Sequence, residues 1–241
     1  MQTSQKRDEI SGMFDRIAWR YDFLNHFLSF GTDTRWRRKA IAAIGRLKRP
    51  VHILDVATGT ADLAIEALRL RPVKVTGVDI SQMMLQEGKK KIEKMGLADT
   101  IELLLAPSEE LPFPDGTFDV AMAAFGVRNF ADTAAGLSEM HRVLSDDGVI
   151  MVLEFSKPAR FPIRQIFGFY FRRLLPLMGR LFSSDRSAYT YLPESVGSFP
   201  EGEAFLNLLG AAGFGSPEMK RLSGGIATIY TGRKTAITIK S

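Results

Sequence analysis

Asp55 and Asp79 are the residues most readily set to chemical work. Asp55 lies in the run Leu54-Asp55-Val56-Ala57-Thr58-Gly59-Thr60-Ala61-Asp62, where an apolar stretch gives way to a turn of small residues and then to a helical pattern. Such a turn lets backbone amides approach a ligand at the carboxyl end of a strand, where open sheets bind ligands. Gly59 supplies conformations closed to other residues. The helix N-terminus beyond it favours negative charge, here a ligand carboxylate or hydroxyl dipoles. On its own the turn also reads as an ordinary strand–helix connection.

A second apolar run ends Gly77-Val78-Asp79-Ile80-Ser81. A carboxylate at the tip of a second strand, about twenty residues past a glycine turn, accepts both hydroxyls of a ribose. Dinucleotide-binding folds share that feature, and two details separate them from this chain. One glycine in the turn, where a dinucleotide fingerprint has three, leaves a pyrophosphate less room. Asp55, at the end of the first strand, suits an α-ammonium group, directly or through water. S-adenosylmethionine carries such a group and NAD does not. Farther along, Ser108 follows a third strand, where an adenine ring can lie against the chain. The stiff run Pro112-Phe113-Pro114-Asp115-Gly116 taken alone is only a loop.

Alternating elements position these residues. Val51 to Val56, Val73 to Asp79, Ile101 to Ala106, Val120 to Ala124 and Val149 to Phe155 read as strands. Asp62 to Leu70, a helix capped by Ser81 and running to about Met95, and Thr133 to Leu144 read as helices. Strict alternation argues for a parallel sheet covered on both faces. Ahead of it, Asp8 to Arg49 is aromatic, Arg-rich and mostly helical in spacing, with Asp33 or Thr34 as a cap for a helix reaching Ile44. Behind it, a basic aromatic stretch precedes a helix from about Glu203 to Ala212. Two short strands near Glu218 to Leu222 and Ala227 to Thr231 finish the sheet.

The 241 residues suffice for a sizeable core without disulfide or metal. The absence of cysteine rules out thiolate zinc and cysteine nucleophiles and agrees with a reducing cytoplasm. No metal is expected. The net charge of +5 leaves a nucleic acid, an anionic membrane surface, an anionic ligand or a plain solvated surface as its meaning. Met1 to Gly12 is polar and lacks an apolar signal region, and no uncharged apolar run is long enough to span a bilayer.

Several segments together resemble the demethylmenaquinone/ubiquinone-biosynthesis C-methyltransferase family of class I S-adenosylmethionine-dependent enzymes. Leu111 to Val120 and Glu139-Met140-His141-Arg142-Val143-Leu144 are similar to the general class. Tyr21-Asp22-Phe23-Leu24-Asn25, Ser29-Phe30-Gly31, Trp36-Arg37 and Phe125-Gly126-Val127-Arg128-Asn129 are similar to this family in particular. So are Glu154-Phe155-Ser156-Lys157-Pro158 and the segment from Tyr189 to Ser195. The resemblance implies an α/β class I methyltransferase Rossmann-like fold, with a seven-stranded mostly parallel sheet, helices on both faces and an N-terminal helical cap. Residues 1–241 would form one methyltransferase domain: cap 1–49, cofactor-binding core 50–155, basic aromatic helical insertion 156–202, and C-terminal helix and hairpin 203–241. It implies S-adenosyl-L-methionine as cofactor, bound by Asp55, Gly59, Thr60, Asp79, Ile80, Phe125 and the Pro107-Ser108 pair. Three positions depart from the pattern. Pro107 stands where the family has Asp or Asn, Thr58 where a smaller residue is frequent, and Ala61 where glycine is common. Alanine fits there if the position is already helical.

The implied reaction is C-methylation of a prenylated quinol, most closely demethylmenaquinol to menaquinol on the wording Asn25-His26-Phe27-Leu28-Ser29 and the short N-terminus. The alternatives are the ubiquinone-pathway benzoquinol, another small molecule, or, in a different class, an NAD(P)-dependent oxidoreductase. A quinol ring carbon becomes nucleophilic when a neighbouring hydroxyl loses its proton, so a base or a cation helps. Arg128 is the candidate cation, with pairing to a carboxylate of the fold as its competing role. His26 is the candidate base, and Glu154 stands near the same site. Tyr21, Asn25 and Asn129 would line the acceptor pocket, whereas His52 and His141 read as structural. From Arg160 to Phe182 five arginines interleave with apolar residues and no acid, a pattern suited either to a membrane surface or to a cover helix. Adenine-amine methyltransferases place Asn-Pro-Pro-aromatic after the fourth strand. Phe125 to Asn129 stands there instead, so no nucleic-acid partner is expected. The sequence is silent on oligomeric state.

Overall fold

The computed structural model describes residues 2–29, 31–45, 47, 51–170, 173 and 187–235. Within the helices, the side chains of residues 2, 3, 20, 22–28 and 187–190 lie outside that description. Two helices come first, α1 (Gln2–Leu28) and α2 (Thr32–Ala43). Then follow β1 (His52–Val56), α3 (Asp62–Glu66) with a 3-10 turn (Ala67–Leu70), β2 (Lys74–Asp79), α4 (Gln82–Lys94), β3 (Ile101–Leu105) and β4 (Phe118–Ala124). After β4 come a second 3-10 turn (Val127–Asn129), α5 (Thr133–Val143), β5 (Leu144–Phe155), α6 (Ile163–Phe169), α7 (Ser187–Ser198), α8 (Glu203–Ala211), β6 (Phe214–Leu222) and β7 (Ala227–Lys234).

Among the described residues, seven strands form one sheet in the order β3-β2-β1-β4-β5-β7-β6. The first five run parallel, and β7 pairs antiparallel with both β5 and β6. Successive residues alternate between two cores, as strand geometry demands. Ile53, Val120 and Met122 face Trp36 and Ile41 of α2, Leu63 of α3 and Leu85 of α4. Leu54, Ala121 and Ala123 face Leu137 and Met140 of α5 and Phe205 of α8. Coverage of both faces explains why the parallel strands read as continuous apolar runs rather than as alternation. Strand order reverses between β1 and β4, and the crevice at such a switch point is where open sheets hold ligands.

Ser81 caps α4 as expected, its Oγ accepting the Met84 N–H at 3.1 Å. Three readings are corrected. The cap of α2 is Gly31 at φ 69°, not Asp33 or Thr34. The Asp33 carboxylate is buried and accepts from Ser29 Oγ at 2.6 Å and Arg37 Nη1 at 2.6 Å instead. Alternation is not strict either, since β3 passes to β4 without a helix between Leu105 and Phe118. There Arg142 holds the loop, donating to the Leu111 and Phe113 carbonyls at 2.9 and 2.8 Å. Lastly, β5 begins at Leu144, straight out of α5, because a register shift between Phe118 and Val120 lets Phe118 pair with Leu144. Only part of the basic stretch is described, namely Arg160 through residue 170 and residue 173. The remainder of Arg160 to Phe182 lies outside the described residues.

Candidate active site

The turn after β1 is built from left-handed backbone. Ala57 (φ 56°), Gly59 (φ 56°) and Ala61 (φ 69°) all lie there. Ala61 is thus not helical, and its alanine carries strain that glycine would relieve. The Thr58 N–H donates to the Val78 carbonyl at 3.0 Å, which ties the turn to β2. A β-carbon on Gly77 would stand 2.9 Å from Thr58 Cγ2, so the bulkier Thr58 fits because β2 has glycine opposite. Likewise, a β-carbon on Gly126 would come 2.5 Å from Ala57 Cβ, so the loop after β4 can press against this turn only with glycine there.

Both carboxylates lie at this turn, in different settings. Asp79 ends β2 half-buried, its Oδ2 accepting the Gly59 N–H at 2.8 Å and its Oδ1 the Ser81 N–H at 2.8 Å. These two amides fix its plane and leave further lone pairs on each oxygen for ligand hydroxyls. Burial, its largest influence, raises its pKa, and the amide bonds oppose that rise. Asp55 is 1% exposed. Its Oδ2 accepts from Thr58 Oγ1 at 2.6 Å, and its buried Oδ1 has no hydrogen-bond partner among the described residues. Burial lifts its pKa to about 7, the Thr58 hydroxyl pulls down, and the charge of Asp79 pushes up again.

A cleft of about 620 Å³, counting space open to solvent, lies over the ends of β1, β2 and β4. Of the predicted residues, Tyr21, Gly59, Asp79, Ile80, Ser108, Phe125 and Asn129 line it. Asp55, Thr60, Pro107 and Arg128 are not in its wall. Asp55 stands behind the turn, and Thr60 is buried with its Oγ1 accepting from Lys91 Nζ at 3.3 Å. Asn25 and His26 belong to α1, but their side chains lie outside the described residues. His52 and His141 are away from the cleft. His141 meets the Phe214 ring edge-on at 5.0 Å, and burial lowers its pKa.

Arg128 makes the carboxylate pairing named above. Its Nη1 pairs with Glu154 Oε1 at 2.7 Å and also donates to the Phe125 carbonyl, with the side chains 7% and 0% exposed. Glu154 also accepts the amides of Arg128 and Phe155, so it serves the loop and does not face the cleft. Together these bonds hold Phe125 at φ 58°, with its ring against the cleft and 4.5 Å from that of Phe155. One donor of Arg128, the buried Nε–H, has no partner among the described residues. Beside it, Asn129 Oδ1 accepts from the Tyr191 hydroxyl of α7 at 3.0 Å. Burial raises the Tyr191 pKa, the nearby Arg128 lowers it and Glu154 raises it.

Sequence reasoning missed three residues that α1 contributes to the wall. Arg7, Ile10 and Phe14 line the cleft with Tyr21, a stripe at intervals of three, four and seven whose helical period is visible in the sequence without saying what it covers. Polar ties strap α1 down. Ser11 Oγ donates to the Ile80 carbonyl at 2.9 Å, and Asp15 Oδ1 accepts from Ser81 Oγ at 2.6 Å and from the Met83 N–H at 3.1 Å. Lys6 Nζ reaches the carbonyls of Phe130 and Ala131 at 3.1 and 3.2 Å.

These residues fit an S-adenosyl ligand. A fixed carboxylate at the second strand tip suits ribose hydroxyls, and the buried Asp55 Oδ1, without a partner among the described residues, suits an ammonium group. Among the described residues, no cluster of carboxylates and imidazoles suits a metal ion.

The model of the ubiE/COQ5 methyltransferase family matches residues 1–234. A demethylmenaquinone methyltransferase of Bacteroides fragilis is 45% identical over 231 residues, covering 95% of this chain and 94% of that protein. A ubiquinone/menaquinone biosynthesis C-methyltransferase UbiE of Geotalea uraniireducens is 46% identical over 233 residues, covering 96% of this chain and 98% of that one. Among solved structures, a SAM-dependent methyltransferase from Aquifex aeolicus superposes with a TM-score of 0.61 at 19% identity, over 83% of this chain and 89% of that one. At that identity the likeness speaks to the fold alone, the Rossmann-like fold of class I methyltransferases.

Proposed function

The chain belongs to the ubiE/COQ5 methyltransferase family, and from that premise we propose that it methylates a ring carbon of demethylmenaquinol, using S-adenosyl-L-methionine, to give menaquinol. The observation that carries this reading is the match of the family along nearly the whole chain, with Asp79 fixed at the rim of the cleft. S-adenosylmethionine, when bound, supplies an electrophilic methyl carbon on a sulfonium.

The chain's own residues then have to bind, orient and exclude water. Asp79 receives the ribose hydroxyls, held in plane by Gly59 and Ser81. Asp55 and the main chain of the turn from Gly59 to Thr60 receive the amino-acid end, Asp55 through its unpartnered Oδ1 or a water on it. Ile80 and Ser108 flank the base, beside Pro107, and Phe125 closes the wall near the reacting carbon. Tyr21 and Asn129 line the acceptor side. Arg128 acts from behind that wall. Its Nε–H, without a partner among the described residues, orients a water toward the developing phenolate, while His26 takes the phenol proton. Once the ring carbon has bonded to the methyl and S-adenosylhomocysteine has left, the ring hydrogen departs as a proton to water and the ring regains aromaticity.

A second acceptor is favoured by one observation: relatives such as the Geotalea protein carry a name covering ubiquinone as well as menaquinone biosynthesis. Labelled S-adenosylmethionine offered with a panel of demethylated quinols tests both. Label in demethylmenaquinol supports the main reading. Label only in the ubiquinone-pathway benzoquinol replaces it, and label in neither removes it.

The acceptor's apolar tail fits work at a membrane surface on the cytoplasmic side. Phe161, Ile166 and Phe169 are 79%, 65% and 58% exposed, beside the exposed Arg160 and Arg164 of the α6 region. No helix among the described residues is long and apolar enough to cross a bilayer. Reversing Arg160 and Arg164 to Glu should weaken binding to anionic vesicles, and unchanged binding would remove the surface contact.

A further inference from the structure

Arg7 lies near the start of α1, two helical stretches ahead of Tyr21 and the acceptor side. Its position is set by a chain of contacts. Through Nη2 it meets Glu109 Oε2 at 3.4 Å. Glu109 in turn accepts the amides of Ala131 and Asp132 through Oε1, at 2.7 and 3.1 Å. Arg7 thereby sits where the segment after β3 meets the segment after β4, in the wall of the cleft beside Ser108. Asp79 marks the ribose position and Ser108 lies outward from it toward β3, so this is the nucleobase end of the site.

The Nε–H of Arg7 is buried and has no acceptor among the described residues. An unpaired buried donor is uncommon and is costly unless a ligand satisfies it. A purine base supplies what is missing: ring nitrogens that accept hydrogen bonds and a π face on which a guanidinium stacks. The 3.4 Å contact with Glu109 is long, which leaves the guanidinium free to turn toward a base while Glu109 keeps its two amides.

We propose that Arg7 is a cofactor-binding residue that contacts the adenine of the S-adenosyl ligand, adding a ligand contact to the straps that already hold α1 over the cleft. The inference rests on the cofactor reading above. Tyr21, Phe14 and Ile10 follow Arg7 along the same face of the cleft wall, so a contact at Arg7 steadies that whole face over the ligand.

Calorimetry with S-adenosylhomocysteine on the full chain tests it, alongside amide hydrogen exchange across residues 2–28. Arg7→Ala and Arg7→Lys should each weaken binding about tenfold or more, since lysine lacks the planar donor and the Nε–H. Lys6→Ala, which cuts the neighbouring strap to the Phe130 and Ala131 carbonyls at a side chain that is not itself in the cleft wall, should stay within about threefold. Ligand should slow exchange in α1 of the wild type and much less in Arg7→Ala. Wild-type affinity in both Arg7 variants overturns the proposal while leaving the cofactor reading intact. Equal losses in Lys6→Ala and Arg7→Ala overturn the direct contact and reduce Arg7 to a strap. Failure of the wild type to bind S-adenosylhomocysteine overturns the reading and the proposal together. Should Arg7→Ala fail to fold, Arg7→Lys alone decides.

Discussion

Replacing Asp55 by asparagine should make the empty protein more stable and the ligand bind less tightly. Folding raises the Asp55 carboxyl from its ordinary 3.8 to about 7, mainly by burial. Between those two values the folded chain keeps a proton that the unfolded chain has lost. The sign follows: stability is full below about pH 4, declines as pH climbs toward 7, and stays reduced above it. Three pH units correspond to about 4 kcal/mol at most. The asparagine side chain carries no charge to desolvate and keeps a carbonyl for the Thr58 hydroxyl. Recovery of about half of that penalty at pH 8 would raise the melting midpoint by about 4–8 °C.

Ligand binding moves the opposite way. An ammonium group needs the ionised carboxylate, which makes up about one tenth of the molecules at pH 6 and about nine tenths at pH 8 when the pKa is near 7. Affinity of the wild type for S-adenosylhomocysteine should therefore rise about tenfold from pH 6 to pH 8. Binding at pH 7 should release about half a proton, seen by calorimetry in buffers of different ionisation enthalpy. Asp55→Asn should lose the affinity, the pH slope and the proton release together. A flat pH profile in the wild type, or an unchanged slope in the variant, would refute the reasoning.

Truncating Arg128 to Ala leaves Glu154 buried and unpaired, so chemical denaturation should show a loss of about 3–5 kcal/mol. Combining Arg128→Met with Glu154→Leu should restore most of that stability but not the turnover number, because the Phe125 carbonyl and the acceptor would both lack their donor. Gly126→Ala brings a β-carbon onto Ala57. It should destabilise by about 1–3 kcal/mol and weaken cofactor binding with it, as read by thermal melts and calorimetry. Ala61→Gly runs against the usual rule for alanine and glycine. Relief of left-handed strain should outweigh the added freedom of the unfolded chain, leaving stability unchanged or higher by about 0.5 kcal/mol in chemical denaturation.

The parallel strands were readable because each is covered on both sides. Ile53, Leu54 and Val56 have no exposed surface, and so β1 is apolar on both faces, with Asp55 the exception that marks the site. The cap at Ser81 was readable because a serine before a helical pattern has one common use. Asp33 misled for the converse reason. Its carboxylate serves the buried guanidinium of Arg37, one turn further into the helix, and cap spacing cannot report that. The ion pair of Arg128 left no local signal either, because its partner, Glu154, comes from the neighbouring strand β5. The lining face of α1 is a different case. Its period was present in the sequence, but nothing local says which surface a helix covers. Tyr191, bonded to Asn129 from a helix 62 positions away, left no local signal.

A crystal structure of the protein with S-adenosylhomocysteine decides most directly where the cofactor sits. Ribose hydroxyls should lie on the Asp79 carboxylate, the amino-acid end at the Asp55–Gly59 turn, and the adenine between Ser108 and α1. A ligand seated elsewhere, or a ribose that makes no contact with Asp79, would contradict that placement.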